Sequence, residues 1–183
     1  MPAPFFIPYE ILTADEMNRV GLWKVTSITG GNGVATLTVP DAFVPDFLNY
    51  RIFIESGGTV ATATNIRLRL GASSTGYYSA QEYISFAAGQ ILAGDVNGAH
   101  WTSVGRSNPT NGSDGTIELY GPGEARRTRL HAMFVDQATT GGAQTSLGYH
   151  NVATAYTSFQ LSTASAANWT SDLTVVVYGY NPA

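Results

Sequence analysis

Residues 49–86, NYRIFIESGGTVATATNIRLRLGASSTGYYSAQEYISF, decide the fold class. Two runs of alternating polarity, RIFIE (51–55) and NIRLRL (65–70), bracket a Gly/Thr/Ala loop. A small-residue turn and an aromatic run, Tyr77, Tyr78 and Tyr83, follow. Successive side chains on a strand point to opposite faces, so Ile52 and Ile54 share one face. Ile66, Leu68 and Leu70 share another, with Arg67 and Arg69 turned away. If the two runs pair, the register must keep both aliphatic sets on one side, with Ile54 opposite Ile66 or Leu68. The first choice sets Arg51 against Arg69; the second sets Glu55 against Arg67, which is attractive. The pattern therefore predicts a hairpin with Ile54 across from Leu68.

The same writing continues along the chain. LWKVTSIT and VATLTV flank Gly30-Gly31-Asn32-Gly33, a hairpin turn signal. AHWTSVG, TIELYG, RTRLHAMFV, SLGYHN, YTSFQLS and LTVVVYGY are further strand candidates, separated by Gly-, Asn- and Pro-bearing turns. Residues 89–98 read as a loop. In RTRLHAMFV, Leu130, Ala132 and Phe134 face one way; Arg127, Arg129, His131 and Met133 face the other. About ten strands at regular spacing predict an antiparallel β-sandwich or barrel. The last strand is apolar on both faces, with Leu173, Val175 and Val177 on one and Val176, Tyr178 and Tyr180 on the other. Such a strand lies either centrally under a covering loop or at a subunit interface.

Ahead of the strands, residues 1–12 carry Pro2, Pro4 and Pro8 among Phe5, Phe6, Ile7 and Tyr9, which precludes a helix there. So apolar an arm either packs on its own domain or inserts into another subunit. Thr13 and Glu16 form a capping box, and Gly21 can stop the helix, which predicts one short helix over 14–20. The division expected is an attachment arm and helix, 1–21, and a β-domain, 22–183.

Composition narrows the functions. At 183 residues one domain is the default, and a core of this size needs no staple. There is no cysteine, hence no disulfide framework and no thiolate site. Charged residues make up 12% and the formal charge is −4, which argues against a nucleic-acid partner. No run approaches the roughly 20 apolar residues of a membrane span, and the N-terminus lacks a basic secretory n-region. His100, His131 and His150 sit in or beside different strand candidates with no metal-site spacing. Thirteen carboxylates are scattered singly, and nothing in the sequence brings Asp95, Asp114, Glu118 and Glu124 into the facing pair a glycosidase needs. There is no nucleophile elbow and no P-loop. The expectation is a non-enzyme without cofactor or metal. The ring-bearing residues near loops, above all Tyr77, Tyr78 and Trp101, form the candidate receptor-contact set, since aromatic faces stack on sugars and anchor interfaces. Arg126, Arg127 and Arg129 form the one cationic cluster, read as a solvated face with local ion pairs.

Three segments carry a family resemblance. ILTADEMNRV resembles the short "LTAxxMN" helix near the start of many phage fibre proteins. NYRIFIE…NIRLRLGASSTGYYSA resembles the hairpin of their β-domains, and LTVVVYGY resembles their closing strand. Together they are similar to tailed-bacteriophage virion structural proteins of the tail-fibre, head-fibre or capsid-decoration type. The resemblance implies a jelly-roll-like β-sandwich, a homotrimer, and a place on the virion among other virion proteins. On that reading Phe5, Phe6, Ile7, Tyr9, Val176, Tyr178 and Tyr180 serve attachment or subunit contact, and a host-surface glycan is the partner for the displayed face. The competing expectation is a carbohydrate-binding module or a carbohydrate-active enzyme on a sandwich scaffold.

Overall fold

The structure is a computed structural model and describes residues 21–136 and 141–182. Within them the chain is all-β, with no helix; the helix expected over 14–20 and the arm bearing Phe5, Phe6, Ile7 and Tyr9 lie outside the described residues. Twelve strands follow one another. They are β1 (Trp23–Gly30), β2 (Thr36–Val39), β3 (Phe47–Gly57), β4 (Thr64–Leu70), β5 (Tyr77–Ser85) and β6 (Gly89–Gly98), then β7 (Trp101–Asn108), β8 (Gly112–Tyr120), β9 (Thr128–Asp136), β10 (Gly142–His150), β11 (Phe159–Thr163) and β12 (Leu173–Pro182). All ladders between them are antiparallel and join into one hydrogen-bonded sheet.

The sheet has a long ladder, β1-β12-β3-β8-β9-β10-β5-β6, and a short one, β2-β11-β4-β7, joined through β8. The first residues of β8 pair with β7, Ser113 opposite Ser107 and Asp114 opposite Arg106. From Gly115 onward β8 pairs with β3, and from Thr116 with β9 as well. One cluster of buried side chains takes Tyr50, Ile52, Ile54, Ile117, Leu119, Val175 and Val177 from the long ladder. It takes Leu37, Val39, Ile66, Leu68, Phe159 and Leu161 from the short one.

This arrangement corrects two sequence expectations. RIFIE and NIRLRL do not form a hairpin: β3 lies between β12 and β8, and β4 lies between β11 and β7. The facial alternation is right, since Ile52, Ile54, Ile66, Leu68 and Leu70 are all buried, but the two aliphatic sets enter the core from different ladders. Arg51 finds its carboxylate in Glu118 instead. GGNG likewise joins no hairpin, because β1 pairs with β12 and β2 with β11. The segment crosses between ladders and is pinned by Trp169, whose carbonyl accepts from Gly33 N–H at 2.8 Å and whose N–H donates to Val34 at 3.0 Å.

Residues 89–98 also depart from expectation. They are a ten-residue strand paired with β5, and their glycines hid the alternation between. Ser85 Oγ accepts from Ala87 and Ala88 N–H and closes the connecting turn. The last strand lies one position in from the edge of the long ladder. β12 is bonded on both sides, by β1 and β3, and Val176 is 5% exposed. Tyr178 meets Phe53 edge-on at 5.8 Å, and the Tyr180 hydroxyl donates to Glu118.

Tyr50 ties the β2–β3 connection to the core. Its hydroxyl accepts from Val44 N–H at 2.8 Å and donates to the Val44 carbonyl at 2.5 Å, and Phe43 packs on its ring at 4.9 Å. Burial pushes the phenol up to about 12.

The two ladders meet closely where β7 runs against β8. A Cβ on Gly115 would stand 2.9 Å from the Val104 carbonyl oxygen and 3.2 Å from Gly105 Cα. A Cβ on Gly105 would stand 2.7 Å from the Asp114 carbonyl oxygen, with Ile54 and Ile66 tips at 3.2 and 3.3 Å. Backbone cannot yield as a flexible side chain does, so overpacking here has to displace a strand. Gly105→Ala and Gly115→Ala are each expected to destabilise the fold by about 1–3 kcal/mol. Gly123→Ala, whose added methyl meets only Phe43 at 3.8 Å, is expected to stay within about 0.5 kcal/mol of wild type. Chemical denaturation of the three variants checks this.

Candidate functional site

Over β10 and the part of β5 beside it the usual polarity of a sheet is reversed, whereas β9 keeps Leu130, Ala132 and Phe134 inside. β10 alternates strictly, and Gln144, Ser146 and His150 are its buried side chains, while Ala143, Leu147 and Tyr149 are exposed. β5 follows in register: Ser79, Gln81 and Tyr83 share the side of Gly148, Ser146 and Gln144, whereas Tyr78, Ala80 and Ile84 share the side of Tyr149, Leu147 and Ala143. Met133 and Val135 of β9 and Leu92 of β6 are exposed on the same outward face, with Thr145 and Glu82 standing between Met133 and Leu92. Tyr78 and Tyr149 stack on that face, 4.8 Å apart and within 3° of parallel. Beside them a groove of about 490 Å³ runs past Ala80, Leu147 and Arg129.

The inward side is polar because this end of the sheet reaches beyond the aliphatic core. Gln144 Nε2 donates to Gln81 Oε1 at 3.1 Å and to Ser146 Oγ at 3.2 Å, and Ser146 Oγ donates to the Ser103 carbonyl at 2.6 Å. Gln81 Nε2 reaches Thr102 Oγ1 at 2.6 Å, and the Thr102 hydroxyl donates to Asp95. From the short ladder Arg106 binds Asp136 at 3.1 Å and Asn65 at 2.8 Å. Between these groups lies a cleft of about 270 Å³ lined by Asn65, Gln81, Tyr83, Ile91, Ala93, Arg106 and Gln144. Side-chain amides, a guanidinium and one phenol ring offer donors, acceptors and a stacking face together. The carboxylates named in the sequence have separate partners: Asp95 meets Thr102, Glu118 meets Arg51 and Tyr180, and Glu124 meets Arg126. Asp114 sits opposite Arg106 in the ladder. No cluster of three metal-ligating side chains occurs among the described residues.

Of the expected receptor contacts, Tyr77 and Trp101 are corrected: both are core residues, 0% and 1% exposed. Their rings meet edge-on at 5.0 Å, and the Tyr77 hydroxyl accepts from Leu70 N–H at 2.8 Å. Only Tyr78 of the three reaches the surface. The adjacent Tyr77 and Tyr78 part because neighbours on a strand face opposite sides. Among the cationic cluster, Arg126 pairs with Glu124 and Arg129 lies over the Tyr120 ring at 5.4 Å. Sequence reading missed Leu147, Tyr149, Met133, Ile84 and Leu92 as a set. The signal was available in QTSLGYH, where the apolar members alternate with polar ones but belong outside.

His150 is buried under this end of the sheet. Its Nε2 donates to the Thr75 carbonyl at 3.0 Å and lies 2.9 Å from Ser73 Oγ, with Tyr77 stacked obliquely at 4.3 Å. Burial holds its imidazole below the ordinary range, against the hydrogen bonds to Thr75 and Val152 that favour the charged form. Burial, followed by the charge of Arg67, depresses His100 in the same direction.

No family model and no curated protein matches the chain. Among solved structures it is similar to a chain in the "Structure of infectious bursal disease virus Gt strain" at a TM-score of 0.13 and 13% identity. The alignment covers 100% of this chain and 47% of that one, so the chain spans about half its length. A likeness at that TM-score fixes neither fold nor function.

The depressed histidines set a pH dependence. The unfolded chain takes up their protons first, near pH 6.5, so stability is full above that value and is lost as the pH falls towards the lower folded values. Each histidine contributes a slope of at most about 1.4 kcal/mol per pH unit. Urea unfolding between about pH 7.5 and pH 5.5 is expected to show this loss, and His150→Gln is expected to flatten it.

Proposed function

We propose that the chain is a structural protein of a tailed-bacteriophage particle, a fibre or capsid-decoration component that works by binding rather than by chemistry. The observation that carries the reading is the reversed polarity of β10 and β5. A sheet end with glutamines and serines inside and Leu147, Tyr149, Met133 and Ile84 outside is built to be covered. Exposed apolar side chains gathered on one face, here with Glu82, Thr145 and Arg129 among them, mark interaction sites. The three segments that resemble phage fibre proteins supply the class of assembly, and other virion proteins are then the partners. On this reading the two ladders, folded over one core, form a jelly-roll-like sandwich. The arm of residues 1–21 and the outward face of β9-β10-β5-β6 attach it to the particle. Repetition on one particle gives avidity that no single contact needs to supply. Self-association belongs to this reading; the resemblance implies three copies.

The cleft between the ladders favours a second reading, recognition of a host-surface glycan. Its amides and guanidinium suit hydroxyl groups, and Tyr83 offers a ring face. It is lined by amides and an arginine, not by the facing carboxylates that a carbohydrate-active enzyme uses. A glycan array that lights up with wild type and fades with Tyr83→Ala supports this use of the cleft; an array dark throughout rejects it.

The assembly reading is tested by supplying the chain to a phage whose own copy is disrupted and probing purified particles with an antibody. Wild type is expected on the particle. Deletion of residues 1–20 is expected to leave a folded domain that fails to incorporate. Leu147→Lys and Met133→Lys are expected to keep stability within about 0.5 kcal/mol, as exposed positions do, while incorporation drops roughly tenfold. Absence of the wild-type chain from particles overturns the reading.

A further inference from the structure

Among the described residues three strands of the sheet have a neighbour on one side only: β1, β2 and β6. Such edges present unpaired N–H and C=O groups, and proteins protect them with short strands, lysine, proline or bulges. β1 carries Lys24 and an irregular register between Lys24 and Thr26. β2 is four residues long and ends at Pro40. β6 is ten residues long and contains no lysine, arginine or proline. Its one charge, Asp95, is turned inward to Thr102 and Ser79. Its register irregularity falls at its far end, opposite Tyr77 and Ser79, and leaves Gly89–Asp95 in unbroken pairing with β5. Leu92 and Val96 are 72% and 83% exposed, and Ile91 is exposed on the opposite face. The unprotected edge is therefore also the most apolar one.

We propose that β6 pairs with β6 of a second copy, antiparallel about a two-fold axis through Leu92, so that two sheets become one. The proposal rests on the assembly reading above only in taking self-association as part of the chain's work, and it replaces the three copies that the resemblance implies with two. Leu92 is the midpoint of the regular segment, and a side-chain period of two requires a register in which both copies turn the same face outward. That register sets Leu92 against Leu92 and Ile91 against Ala93 of the second copy. It also carries the turn bearing Phe86, 64% exposed, alongside Val96 of the second copy, and does so twice. No like charges oppose one another along the edge. The nearest outward charge, Glu82, lies one strand back opposite Leu92, so its copy is three strand spacings or about 14 Å away, beyond a screening length of about 8 Å. An identical antiparallel pairing uses up β6 on both copies, so this edge cannot propagate into a filament.

The test uses the full chain in solution. Light scattering is expected to give the mass of two copies for wild type. Leu92→Lys, which sets two ammonium groups on the axis, is expected to weaken pairing at least about 100-fold, with circular dichroism of the single copy unchanged. Because the chain has no cysteine, Leu92→Cys reports alone: it is expected to form a disulfide-linked dimer under mild oxidation, whereas Val34→Cys, on a distant exposed loop, is not. A wild-type chain of one copy, a three-copy mass that Leu92→Lys leaves intact, or a dimer in which Leu92→Cys does not cross-link overturns the proposal. A single-copy chain that still enters particles overturns the pairing and leaves the virion reading standing. A cross-linked dimer absent from particles does the reverse.

Discussion

The close contact of Gly105 with Gly115 governs this molecule. β8 begins as a member of the short ladder and ends as a member of the long one, and that transfer requires two backbones to approach within the space of a missing methyl. Ile54 and Ile66, one from each ladder, fill the room beside the glycines. Next to them Ser107 and Ser113 both donate to the Gly58 carbonyl, and Gly58 N–H donates to Asp172 at 2.7 Å. The loop after β3, the approach to β12 and the start of β8 are thereby tied at one place. The shared core follows from this joint, because it brings the aliphatic face of β3 over that of β4.

The joint also explains why the far end of the sheet is reversed. The short ladder supplies four strands besides β8, and their apolar side chains cover β12, β3, β8 and the near part of β9. β10, β5 and β6 extend past that cover. What faces inward there meets Arg106, Asn65 and Thr102 rather than leucine, and amides and hydroxyls are the side chains that such neighbours can satisfy. With the inner face of β10 committed to hydrogen bonds, its apolar members Leu147 and Tyr149 stand outside.

Much of the local structure was legible in the sequence. Alternation correctly sorted Ile52, Ile54, Ile66, Leu68, Leu70, Leu130, Ala132 and Phe134 to the buried side, and the strands from Trp101 onward overlap the patterns, although β8 and β10 begin earlier, at Gly112 and Gly142, in segments that read as turns. Pairing was not legible. The choice between Ile66 and Leu68 as partners of Ile54 weighed charge pairs worth a fraction of a kcal/mol, whereas the actual partners come from strands more than sixty residues away. Glycines misled twice for one reason: they mark both tight turns and close approaches. At Gly31 and Gly33 they serve a crossing held by Trp169, and within residues 89–98 they sit in a strand. The outward-facing apolar side chains were hidden because alternation says which residues share a face but not which face is inside. Tyr77 and Tyr78 illustrate this: one is core and the other surface, and the pair is symmetrical in sequence.

The pairing of β1 with β12 has a mechanical consequence. Trp23 lies opposite Gly179 and Gly30 opposite Leu173, so the first described strand begins where the last one ends, at one corner of the sheet. Tension applied between residues 23 and 179 would peel the two strands apart one hydrogen bond at a time. Tension directed along β1 away from that corner, against a load held elsewhere in the domain, would strain all the bonds between them at once. A pull on Trp23 along the strand axis therefore loads the sheet in its stronger direction.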